Sequence, residues 1–195
     1  MQADGVDSKR VMVGIGAGAI QLGLWAYYAF LDGAEIVLAE IDRQKVESVR
    51  ANNHLYTINI AHFDRIAPIT VGPIGIYSPT IAHDRAKILE SIAIANDIVT
   101  AVPSTHSYEH GGVAELLRDG LAGRTRPVTI YASENEVGAA RKLERLVYGE
   151  KKPAHVRFAD TVIERMGGTH SNRDFIEEHG LQQMTPSSGQ ALGLV

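Results

Sequence analysis

Apolar and polar residues fall into blocks along this chain. A short apolar run at 11–15 (VMVGI) breaks into glycines. Residues 19–31 then form an apolar stretch of good helix formers, closed by Asp32-Gly33. A second apolar run at 35–39 (EIVLA) precedes a polar-faced helix over 43–50. This order of strand, glycine turn, helix, strand and helix predicts the opening of a doubly wound parallel sheet.

The next segment has another rhythm. Residues 55–60 (LYTINI), 67–71 and 75–77 read as short β pieces broken by Pro68, Pro73 and Pro79. Alternation then resumes: helix 85–95, strand 97–101, helix 112–121, strand 127–131, helix 137–148 and a short strand 155–158. The expected fold is α/β, a doubly wound, mostly parallel Rossmann-type sheet with a β-rich excursion around residues 55–80. After Gly167 the sequence turns polar and Gly/Ser-rich.

With 195 residues, 45% of them hydrophobic, the chain can bury the core of one large domain. A net charge of −4 and the absence of any Lys/Arg run argue against a nucleic-acid partner. Without cysteine there is neither a disulfide framework nor a thiolate metal site. The longest apolar region, 17–31, is interrupted by Gln21 and too short to span a bilayer. The N-terminus MQADGVDSKR has no apolar signal core. The expectation is a soluble, cytoplasmic protein with no membrane partner.

The stretch GIGAGAIQLG reads in two registers as a dinucleotide turn. One is Gly14-x-Gly16-x-x-Ala19; the other is Gly16-x-Gly18 with Gln21 at the third-glycine position. Such a turn works through its backbone: glycines let the chain approach a pyrophosphate, and the following helix offers free N–H groups and a partial positive charge. An acid at the end of the second strand binds ribose hydroxyls, and Glu40 closes EIVLAE with Asp42 just beyond. That acid would repel a 2′-phosphate, and no arginine stands next to it before Arg43, so NAD is expected over NADP.

Six motifs in order resemble the mannitol dehydrogenase family, its mannitol-1-phosphate 5-dehydrogenases in particular: GAGAIQLG (16–23), AEID (39–42), LYTINI (55–60), DIVTAVPS (97–104), YASENEVGAARKL (131–143) and FADTVIERM (158–166). The resemblance covers residues 10–168 and places the first turn glycine at Gly16. It implies an NAD-binding domain over 1–168, with hydride transfer between a sugar alcohol or its phosphate and NAD, and no metal. Gly16, Gly18 and Gln21 would hold the pyrophosphate, Gln21 through its amide. Glu40 and Asp42 would hold the adenosine ribose, and Ala19, Ile20 and Ile41 belong to the same cofactor set. Ala101 and Val102 would pack on the cofactor, with Glu134 and Asn135 near the nicotinamide. Asn135 would also bind the substrate oxygen, and Glu164 matches an acid near the substrate.

The family's lysine base lies in a helical second domain within a K-x4-N-x3-H motif, which is absent after residue 168. Residues 169–195 are therefore expected as a tail or the stub of that domain, with the uncovered face met by self-association or a partner chain. Two other readings fit the same residues: a free-standing NAD-binding regulatory module without turnover, and a truncated relative of opine or amino-acid dehydrogenases. HSYEH (106–110) matches a zinc-protease pattern, but it follows Pro103-Ser104 and runs into Gly111-Gly112. A loop rather than a helix is expected there, at the carboxyl end of the strands, with no metal.

Overall fold

The computed structural model describes residues 9–194; the polar start, residues 1–8, lies outside them. Strands β1 (Val11–Ile15), β2 (Glu35–Ala39), β5 (Gly75–Tyr77), β6 (Asp97–Thr100), β7 (Val128–Ala132) and β8 (Val156–Asp160) form one sheet in the order β5-β2-β1-β6-β7-β8. Every pairing in it is parallel. Strand order runs one way from β1 to β2 and the other way from β1 to β6. The sheet thus has a switch point between β1 and β6, where a crevice opens at the carboxyl ends.

A parallel sheet needs cover on both faces, and here two apolar layers provide it. Val11, Val13 and Ile15 point to the layer built by helices α3 (Ala82–Ile94), α5 (Val113–Gly120) and α6 (Ala139–Tyr148). Met12, Ile36, Leu38 and Val99 point to the opposite layer. That layer comprises the helix after β1, helix α2 (Arg43–Ala51) and a second sheet. The helix after β1 begins as a π-helical turn, Gln21–Trp25, and continues as α1, Ala26–Leu31.

The second sheet has the order β4-β3-β10-β9, from β3 (Tyr56–Ala61), β4 (Ile66–Val71), β9 (Gly167–His170) and β10 (Ala191–Leu194). The β3–β4 hairpin is the expected excursion. Gly75–Tyr77, grouped with it from the sequence, instead pairs with β2 as the edge of the main sheet. The segment from 169 onward, expected as a tail or stub, contributes β10 between β3 and β9, together with helix α7 (Arg173–Glu178). A polar side chain holds it there: Asn59 donates to the carbonyls of Gln182 and Leu192 and accepts from the Gln182 amide. Among the described residues no helix is long and apolar enough to cross a membrane.

Candidate functional site

At the switch point lies a cleft of about 430 Å³. Its floor is the turn after β1. Gly16 has φ +90° and donates its N–H to the Ala39 carbonyl at 2.8 Å, tying the turn to the end of β2. An ideal Cβ on Gly16 would lie 2.5 Å from the Ala101 carbonyl oxygen, so only glycine fits between the two strand ends. At Gly18 an ideal Cβ would meet no protein atom within 4 Å, so the backbone there is open. The Gly16-x-Gly18 register is the one that forms the turn.

Gly14 answers to a different neighbour. It faces the layer beneath the sheet, and Gln21 fills the space a side chain at 14 would need. Gln21 is fully buried; its Nε2 reaches Met12 Sδ at 3.9 Å and its Oε1 has no partner. The sequence expectation that Gln21 donates to a pyrophosphate is corrected here. The π-helical turn carries the side chain under the strand rather than toward the cleft. A residue with a Cβ at the third-glycine position is thus accommodated by a glycine on the strand and a widened first helical turn.

The acid behaves as a structural member of the turn. Glu40 is buried, accepting the Ala17 N–H at 2.8 Å on one oxygen and the Asp42 N–H at 2.9 Å on the other. Lys45 stands beside it, with Nζ 3.6 Å from Glu40 and 3.1 Å from the Ala17 carbonyl. Each carboxylate oxygen keeps a lone pair for a further donor. Asp42 does not line the cleft; its carboxylate caps α2, accepting from the Gln44 and Lys45 amides.

Of the expected cofactor residues, Gly16, Gly18, Ala19, Ile20, Glu40, Ile41, Ala101 and Val102 line the cleft. Gln21, Asp42, Glu134 and Asn135 do not, nor does Glu164. Glu134 lies behind the cleft wall, 6% exposed. It accepts from Thr100 Oγ1 at 2.9 Å, from the Val102 N–H at 3.0 Å and from the Tyr108 hydroxyl. Burial and this carboxylate together push the Tyr108 phenol well above its ordinary range. Asn135 and Glu164 are exposed on the loops after β7 and β8.

The cleft also takes residues that the sequence reading did not select: Lys45, Ser107, Ser133 and the Gly111-Gly112 entry to α5. Lys45 carried a usable signal, lying in the first turn of the helix that starts at Asp42. The expected loop at 106–110 is corrected as well, because Ser107–His110 forms a short helix, α4. Pro103 lies ahead of its first turn, where a missing N–H costs nothing. The rings of His106 and His110 stack with centroids 4.1 Å apart. Among the described residues no group of three or more His, Asp or Glu is placed to hold a metal.

No protein-family model matches the chain. Two curated relatives do. A mannitol-1-phosphate 5-dehydrogenase of Brevibacillus brevis is 27% identical over 137 residues, 70% of this chain and 34% of the relative. One from Bacillus velezensis is 27% identical over 161 residues, 77% of this chain and 41% of the relative. The chain thus spans well under half the length of these relatives. Among solved structures, an octopine dehydrogenase with NADH and L-arginine superimposes with a TM-score of 0.58 at 13% identity, over 96% of this chain and 40% of that one. That likeness shows the fold alone, a Rossmann-like α/β sheet. The resemblance read from the ordered motifs is borne out: the chain is similar to mannitol-1-phosphate 5-dehydrogenases over most of its own length.

Proposed function

We propose that the chain is the NAD-binding domain of a polyol or polyol-phosphate dehydrogenase of the mannitol-1-phosphate type. The observation that carries this reading is the cleft at the β1/β6 switch point, floored by the Gly16–Gly18 turn and closed by Glu40. Turn, helix start and acid stand where a dinucleotide's pyrophosphate and adenosine ribose are recognised. Gly16, Gly18, Ala19 and Ile20 would face the pyrophosphate. Glu40 would accept from the ribose hydroxyls, with Ile41 beside the adenine. Ala101 and Val102 would flank the nicotinamide, the group that supplies or takes the hydride. Asn135 and Glu164, exposed on the loops after β7 and β8, would face the polyol. Turnover belongs to the longer unit that the relatives' length implies, and the general base with it.

Titration with NADH and NADPH, followed by nicotinamide fluorescence, tests the reading. NADH is expected to bind with a Kd in the micromolar range, and NADPH at least roughly tenfold more weakly, since a 2′-phosphate meets the Glu40 carboxylate. Glu40→Gln should narrow that ratio. Equal affinity for the two cofactors would remove the specificity assignment, and no binding of either would remove the dinucleotide reading.

A further inference from the structure

We propose that Glu134 is a positioning residue: it does not meet the cofactor but locks the cleft wall over residues 101–113 in the shape the nicotinamide half requires. The inference rests on the dinucleotide reading of the cleft. Val102, Pro103, Ser107 and Gly112 form that wall. The wall has little regular structure of its own, since it contains one four-residue helix, α4. Something outside it must hold it.

The loop after β7 does so with two acids. Glu134 accepts the Val102 N–H on one oxygen, and the Thr100 and Tyr108 hydroxyls on the other. The three donors come from the end of β6, the wall itself and α4. Tyr108 is fully buried, so its hydroxyl ties α4 down from within the core. Two residues on, Glu136 accepts from Thr105, whose hydroxyl also receives Lys142 Nζ at 2.7 Å. The wall is thus gripped at 100, 102, 105 and 108 from one short loop.

Among the described residues no cation pairs with Glu134 within ion-pair distance. A carboxylate buried without a counter-charge costs free energy that its hydrogen bonds must offset. An apolar side chain of similar size would fill the same space, but it would leave the direction of the Val102 amide unset. The return on the buried charge is therefore geometric.

The test compares NADH with ADP, which occupies only the adenosine half, in the chain carrying Glu134→Ala or Glu134→Gln. In Glu134→Ala, NADH binding is expected to weaken by roughly tenfold or more while ADP binding stays within about twofold. Amide exchange over 101–110 should quicken in the ligand-free protein. Glu134→Gln should stay within about threefold for both ligands, because its carbonyl still accepts Val102 N–H and its amide can donate to the two hydroxyl oxygens. Should Glu134→Ala not fold, Tyr108→Phe carries the same comparison with a smaller split in the same direction. NADH binding at the wild-type level, an equal loss of NADH and ADP, or unchanged exchange over 101–110 would each overturn the proposal. A wild-type chain that binds neither ligand overturns the dinucleotide reading instead, and the exchange comparison still decides whether Glu134 holds the wall.

Discussion

Replacing Gly14 by alanine is expected to destabilise the fold by about 3 kcal/mol, the upper part of the usual range for overpacking a core. The added Cβ would sit 2.5 Å from Gln21 Cδ and 2.6 Å from Leu38 Cδ2, and both side chains are fully buried. Neither has an exposed end to swing away. Urea denaturation followed through Trp25, the single tryptophan, should show a lower midpoint at unchanged slope. The double variant Gly14→Ala/Gln21→Ala should recover part of the loss, since the nearer clash disappears while that with Leu38 stays. Simple additivity would show that Gln21 does not occupy the space over Gly14. Gln21→Met alone should be neutral or stabilising by up to about 2 kcal/mol, because the buried Oε1 has no partner to lose. It should leave NADH affinity unchanged.

The second large effect belongs to Gly16. Gly16→Ala combines a left-handed backbone, φ +90°, with a Cβ 2.5 Å from the Ala101 carbonyl oxygen. A backbone neighbour cannot rotate away, so the turn and the end of β6 must part. NADH affinity is expected to fall by about a hundredfold, close to 2.8 kcal/mol, alongside a lower melting temperature. Gly18→Ala is the control. Its Cβ meets no protein atom within 4 Å, so the melting temperature should stay near that of wild type while NADH affinity drops. A Gly16→Ala chain that binds NADH normally would show that the cleft floor is not where the cofactor rests.

These effects trace how much of the molecule was legible in its sequence. The runs at 11–15 and 35–39 were readable because each carries enough apolar residues to demand burial on both faces. The glycine turn was readable because its chemistry is backbone chemistry. Gly75–Tyr77 was legible as a strand but not as a partner of β2, since three residues carry too little pattern to specify their neighbour. The strand at 191–194 was not legible for a similar reason: ALGL is a short apolar island in polar sequence, held by the side chain of Asn59. Gln21 was recognised as an anomaly, but its direction depended on a π-helical turn and on an empty position at Gly14 in the neighbouring strand. Glu134 was expected near the nicotinamide, and its carboxylate accepts from Thr100, Val102 and Tyr108. Whether an acid meets a ligand or a backbone amide is decided by three donors on other elements.

The placement of β10 has a kinetic consequence. Leu192 accepts from Asn59 across a separation of 133 positions in the chain. Leu194, in the same strand, lies where any side chain at Gly23 would have to go. Closing so long a loop carries an entropy cost before any contact rewards it, and structures rich in distant pairings fold slowly. The second sheet should therefore gain protection after the β1–β2 and β6–β7 pairs, which pulsed hydrogen exchange can time; simultaneous protection would contradict that order. Until β10 arrives, one face of the first helix remains open to water, and the interval before closure is when the chain is most exposed to association with other unfinished copies.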